Sequence, residues 1–465
     1  MKKFTKILLI GCLLVTVSCN NWLDVEPKSQ VKDKDLFASE MGFKEALSGV
    51  YSLMTKEALY GKELTFGWLG VLGQEWTSVP YNYEDDQKYD FENAASEVRI
   101  DSVWTGLYNA IANANKLLKE LEGKENLFSG DNYFIIKGEV LALRAYLHFD
   151  LLRIFGASCT VGMERIAIPY VTEYAPTIFP QEKVGDFVGK VLNDLQDAAK
   201  CLENDPILTG RTVSEIDDNG YLMNRQVHLN YYAVKGLMAR VYLYKGDYAN
   251  AEVCAKEVIG SGCFEWVKQE NLTNESVADL TFSTEHLFAL NIVTLGNIVD
   301  KYLDGGNNSF ALEESRLSEY YGSSYDYRYL YLFKTGVGMS NTLRYLKKYD
   351  QLESVSWAQS YRNKLPLICL PEMYYILAEC RYHSSGDVLE PLNEVCRHRG
   401  VADLSEADLS AFETLLLAEY RKEVIGGGQL FFQYKRLNRS VVPGTDVDLA
   451  GEGRYVILMP CLLYT

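Results

Sequence analysis

Apolar residues recur at three- and four-residue steps along most of the chain, the mark of helices that bury one stripe. The first such run opens at Leu36 and continues through Phe37, Met41, Phe43, Leu47, Val50, Tyr51 and Met54. Residues 101–121 place Trp104, Leu107, Tyr108, Ile111, Asn115 and Leu118 on one stripe, and 133–155 form a longer helix stopped at Gly156. Helical period returns over 184–203 and 228–259. It lapses over 60–98, rich in Gly, aromatics and acids, and over 260–365, rich in Gly, Asn, Ser and Tyr. Both stretches read as irregular insertions, the places where binding residues gather on a rigid scaffold. Residues 20–35 are polar, contain Pro27 and read as a tether.

The 228–259 segment breaks at Gly246-Asp247 and resumes, so it reads as a helix–turn–helix with the spacing of a 34-residue tetratricopeptide repeat. Ala239 stands where the first helix approaches the second, and Ala251 and Ala255 fill the small positions of the second. Lys235 stands where that repeat prefers Trp. The signature Tyr242-x-x-x-Gly246-Asp247 recurs as Tyr382-x-x-x-Gly386-Asp387. The fold class expected is all-α: a tetratricopeptide-like scaffold of helix pairs with a loop-rich face, forming a single domain over 36–465.

Composition narrows the class. A chain of 465 residues, 48% hydrophobic and 23% charged, packs a core. No run of 18 apolar residues occurs, so no spanning helix is expected. The net charge of −17 repels phosphate backbones, which excludes nucleic acid as a partner. Tyrosine is abundant at 33 residues and histidine scarce at 5, which favours aromatic recognition over His-based catalysis. There is no HExxH, GxSxG or Walker loop, and Asp85/Asp86 are adjacent acids with no fixed separation, so no enzyme is expected. No cofactor is expected either; a structural calcium at Asp217, Asp218 and Asn219 would lack EF-hand spacing.

The N-terminus sets a compartment. Lys2, Lys3 and Lys6 precede an apolar run from Ile7 to Val17, which suits a secretory signal over residues 1–18. Val15-Thr16-Val17-Ser18-Cys19 resembles a bacterial lipobox, with Thr16 its one departure. Cleavage before Cys19 leaves a lipidated cysteine that tethers a soluble body to a membrane, with 19–35 as the tether. The cysteines beyond it (159, 201, 254, 263, 369, 380, 396 and 461) form no CxxC and read as free thiols.

Several segments in order resemble the SusD/RagB family of outer-membrane nutrient-binding lipoproteins. They are Cys19 with Trp22-Leu23-Asp24; Trp104-x-x-x-Tyr108-x-x-Ile111-x-x-Ala114-Asn115; and Gly138-Glu139 through Leu143-Arg144-Ala145-Tyr146 to Arg153-x-Phe155-Gly156. The repeat around Ala239–Ala255 follows, then Leu370-Pro371-Glu372 through Glu379, and Ala418-Glu419-Tyr420-Arg421-Lys422-Glu423 running to Phe431 and Arg436. Gly426-Gly427-Gly428 departs from the family's Glu-Gly, and Pro460-Cys461 lacks the second proline of its ending. The resemblance implies about four tetratricopeptide-like helix pairs and an irregular ligand face. It implies a protein on the outer face of the outer membrane that acts as a lid on a SusC-type TonB-dependent transporter. There it delivers glycan, or in some members peptide, without catalysis.

A glycan surface needs flat aromatics to stack on sugar rings and polar groups to bond hydroxyls. Residues 74–86 and 319–329 supply both, and the family's ligand-contacting aromatics come from corresponding loops. The expected ligand-binding residues are Trp76, Tyr81, Tyr83, Tyr320 and Tyr325, with Asn82 and Arg328 as polar partners. Asp326-x-Arg328 also reads as a structural ion pair. Three alternatives stand beside oligosaccharide capture: a RagB-like peptide receptor, a protein-interaction module, and a lipid-anchored glycoside hydrolase.

Overall fold

A computed structural model describes residues 33–209, 220–274, 277–322, 324–336, 342–351 and 361–460. The expected signal segment, Cys19, the tether up to residue 32, Cys461 and the Asp217, Asp218, Asn219 group lie outside the described residues.

Among the described residues there are twelve helices of seven residues or more: α1 (Glu40–Met54), α2 (Ala94–Leu121), α3 (Asn132–Phe155), α4 (Val184–Cys201), α5 (Tyr231–Lys245), α6 (Tyr248–Ile259), α7 (Leu295–Tyr302), α8 (Glu314–Tyr321), α9 (Leu370–His383), α10 (Leu389–His398), α11 (Phe412–Val424) and α12 (Leu430–Arg436). From α2 to α6, and on through α9 and α10, each of these scaffold helices packs against the next, with α11 closing on α9. These eight supply what about four helix pairs require. Helix α3 is the centre: nearly all of its residues are buried, between α2 and α4. At Gly138 the backbones of α3 and α4 come so close that a Cβ would stand 2.7 Å from Leu202 and 3.0 Å from the Ala198 carbonyl.

The tetratricopeptide-like turn forms as its residues dictate. Gly246 adopts φ 81°, the left-handed geometry glycine takes without strain, and the Asp247 side chain accepts from Asn250 N to start α6. Ala239, Ala251 and Ala255 are fully buried where the helices meet. In the second copy the left-handed residue is Ser385, one position before Gly386, and Asp387 caps α10 through Leu389 N and Glu390 N.

Two expected boundaries are corrected. Helix α2 begins at Ala94, not 101, because the Asn93 side chain accepts from Ala95 N and Ser96 N at 3.0 Å and caps it early. The 260–365 insertion is less irregular than its composition suggests. Ahead of it, strands β1 (Ile166–Pro169) and β2 (Gln181–Lys183) pair as a small ribbon; the insertion itself contains β3 (His286–Asn291), β4 (Leu312–Glu313), β5 (Phe333–Thr335), β6 (Leu343–Leu346) and the first two residues of β7 (Lys364–Cys369), besides α7 and α8. Strand β3 pairs antiparallel with β7 from His286↔Cys369 to Asn291↔Lys364, and β4, β6 and β5 form a three-stranded sheet with β6 central.

No described helix is long and apolar enough to cross a membrane. The described cysteines are free thiols; Cys159, Cys254, Cys380 and Cys396 are buried and the other three half-buried.

Candidate functional site

The two aromatic segments meet through backbone pairing. Ser78 N donates to the Ala311 carbonyl at 3.0 Å, Ala311 N returns the bond to Ser78 at 2.9 Å, and Glu313 N donates to Thr77 Oγ1 at 2.7 Å. Residues 311–313 run directly into α8, which carries Tyr320, so the 74–86 loop and the 319–329 segment share one frame.

The first loop stands on a buried polar knot. Pro80 leads into a tight turn over Tyr81–Tyr83. Tyr83 points inward: its hydroxyl donates to Glu63 Oε1 at 2.8 Å, and the Arg99 guanidinium lies 3.9 Å above its ring. Arg99 also pairs with Asp86 and donates to the Asn82 carbonyl at 3.0 Å, which fixes the turn from below. Trp68 Nε1 donates to Asp86 at 2.9 Å. Burial pushes the Asp86 carboxyl up to about 6, against the pull of Arg99. The outcome is display: Tyr81 is 87% exposed, and Asn82 beside it is exposed as well.

Three expected contact residues are corrected. Trp76 is 2% exposed, its Nε1 donating to the Phe66 carbonyl at 2.7 Å while its ring packs on Phe310. Tyr83 is buried over the same Phe310. Arg328 is fully buried, held two-fold by Asp326 at 2.9 and 2.7 Å and again by Glu423 at 3.0 Å. None of the three reaches a ligand without opening the core. They build the platform instead, and the Asp326–Arg328 pair is the structural ion pair that its spacing suggests.

The remaining residues are at the surface. Tyr325 is 76% exposed, just before Tyr327, whose N donates to the Arg399 carbonyl. Tyr320 is half-buried at the end of α8 and lines a cavity of about 410 Å³ with Leu417, Arg421, Tyr434 and Val441. Sequence reasoning missed Arg421 and Tyr434 as lining residues, because only the fold brings α11 against both α8 and α12. Glu75 lies buried behind this region, accepting from Gly426 N at 2.8 Å, and burial raises its carboxyl to about 8. Among the described residues no group of three or more His, Cys, Asp or Glu is poised to hold a metal.

The arrangement presents an aromatic ring and an amide on a braced turn, with more aromatics on the adjoining segment. Such a surface carries the groups that stacking on and hydrogen-bonding a polyhydroxylated ligand require.

Comparison with known proteins gives a consistent picture. Residues 21–243 match the SusD-like family described as starch-binding associating with outer membrane. The chain is 24% identical over 269 residues to SusD-like protein P38 of Formosa agariphila, covering 57% of this chain and 47% of that protein. The chain thus spans about half the length of that relative, and a smaller share of two others from the same organism. Among solved structures, a SusD superfamily protein from Bacteroides thetaiotaomicron superposes with a TM-score of 0.72 at 21% identity, covering 92% of this chain and 97% of its own. A laminarin-binding SusD-like protein superposes at 0.63 with 17% identity, over 92% and 97% of the two chains.

Proposed function

This chain is SusD-like, in sequence over residues 21–243 and in fold over most of its length, and from that premise we propose that it is a cell-surface glycan-binding lipoprotein. It captures an oligosaccharide and delivers it to a SusC-type TonB-dependent transporter in the outer membrane, to which Cys19 anchors it by lipid. The observation that carries the glycan reading is the display of Tyr81 and Asn82 on a turn braced by Arg99. A rigid aromatic loses little entropy on stacking against a sugar ring, and the neighbouring amide supplies the hydrogen bonds that fix orientation. Tyr325, and the ring edge of Tyr320, extend the surface on the adjoining segment. The laminarin-binding relative of the same fold supports this ligand class. No chemistry on the ligand is part of this function; selection is by stacking and transfer is by closure on the transporter.

The test is a binding screen of the protein against neutral oligosaccharides, laminarin fragments included, and a mixed peptide pool. Saturable binding to at least one oligosaccharide is expected. Binding of peptides alone would replace this reading with a peptide receptor. The transporter step is checked by affinity purification from the native membrane, in which a TonB-dependent transporter is expected to co-purify.

A further inference from the structure

The cavity at the end of α8 holds a charge that the rest of the fold leaves unanswered. Nine arginines are buried among the described residues, and eight of them are ion-paired to an Asp or Glu. Arg421 is the exception. It is 5% exposed and has no carboxylate within ion-pair distance among the described residues. Its guanidinium lies 4.1 Å from the centre of the Tyr320 ring, and Nη2 donates to the Tyr434 hydroxyl. Nε and Nη1 donate to no acceptor among the described residues, while the side chain lines the cavity.

The carboxyls around it are already committed. Glu319 at the rim lies 3.0 Å from Arg316, and Glu413 lies 3.2 Å from Arg439. Glu75, which feels Arg421 through the protein, is held protonated at neutral pH because burial lifts it to about 8. An unmatched buried guanidinium is costly, and a carboxylate is the group its planar fork fits at two points. The volume of about 410 Å³ is that of a small-ligand pocket, and Leu417, Val441 and Pro443 add an apolar wall for the face of a ring.

We propose that this cavity receives the carboxylate of an acidic sugar, a uronate residue of the captured oligosaccharide, with Arg421 as its counter-ion. The proposal rests on the glycan-binding reading, and it names the ligand class at a subsite distinct from Tyr81 and Asn82.

The experiment titrates the protein calorimetrically with trigalacturonate and with neutral galactotriose at low ionic strength. The acid form is expected to bind about tenfold more tightly or better, the scale of a charge-assisted two-point contact. That preference is expected to disappear in Arg421→Gln, and in Val441→Trp, which fills the cavity from a position 76% exposed and leaves the fold intact. If Arg421→Gln does not fold, Val441→Trp decides alone. Equal affinity for the two sugars, or a preference unchanged in the variants, overturns the proposal. Neutral oligosaccharide binding without any acid preference overturns this subsite alone, whereas silence towards every oligosaccharide overturns the glycan reading as well. Selective binding of a peptide carboxylate in place of the uronate likewise overturns it.

Discussion

Arg240 closes a two-point ion pair on Glu372, Nε to Oε1 at 2.6 Å and Nη2 to Oε2 at 2.7 Å, with Nη2 also donating to the Leu367 carbonyl at 2.8 Å. The pair joins α5 to α9, so it clamps the scaffold on either side of the long insertion. Both side chains are nearly buried, and removing one leaves the other desolvated without a partner. Arg240→Ala is expected to lower stability by about 3–5 kcal/mol. Arg240→Lys should also lose stability, since an ammonium cannot span both oxygens. Urea unfolding checks both; a loss for Arg240→Ala within about 0.5 kcal/mol, the range of neutral surface changes, contradicts the clamp.

Acid should weaken the fold through Glu139. Burial alone would raise this carboxyl, but His228 and Arg225 outweigh it and hold it down at about 2, against an ordinary value of 4.5. A depressed carboxylate contributes stability that is present above 4.5 and is lost as pH falls towards 2. Melting temperatures of the wild type should therefore drop through that window, and Glu139→Gln should show a shallower drop. Parallel curves for the two proteins would contradict the assignment.

Glu75 runs the other way. Its carboxyl is raised to about 8 by burial, against the Gly426 amide and the nearby Lys348 and Arg421. Its stabilising contribution is complete below 4.5 and is lost as pH rises to 8. Glu75→Gln keeps an acceptor for Gly426 and removes that loss, so the variant should gain on the wild type between pH 5 and pH 9. A constant difference across that range would contradict the prediction.

Trp76 should behave as a core residue. Trp76→Ala opens a void beside Phe310 and Phe66 and is expected to cost about 3–5 kcal/mol, measured by denaturant unfolding. A change within about 0.5 kcal/mol would return Trp76 to the surface.

Much of the scaffold is legible in the sequence because most of its helices bury one stripe, and burial leaves a period; α3, buried on nearly all sides, is legible by its long apolar run instead. The turn at Gly246-Asp247 is legible for a local reason: a left-handed glycine and an Asp cap act within four residues. The early start of α2 escapes the apolar pattern because one side-chain cap at Asn93 sets it. The strands of the 260–365 insertion are only two to six residues long, too short to leave an alternation, and their partners lie far along the chain.

The site divides in the same way. Tyr81 and Asn82 follow a proline in a polar loop, and exposure is what such a loop imposes. Trp76 and Tyr83 have the same composition around them, yet they turn inward onto Phe310, more than two hundred residues later. Arg421 sits in a motif rich in charge, and no local pattern distinguishes it as the one buried arginine among the described residues without an acid partner.

In the proposed function, the braced turn at Tyr81 and Asn82 holds a sugar. Its most direct test is calorimetric titration of the wild type and of a Tyr81→Ala/Asn82→Ala variant with the best neutral oligosaccharide from the screen. Both positions are exposed, so melting temperature should be unchanged while affinity falls about tenfold or more, as expected for the loss of a stacking aromatic and its polar partner. Undiminished affinity in the variant would show that the sugar is held elsewhere on the protein.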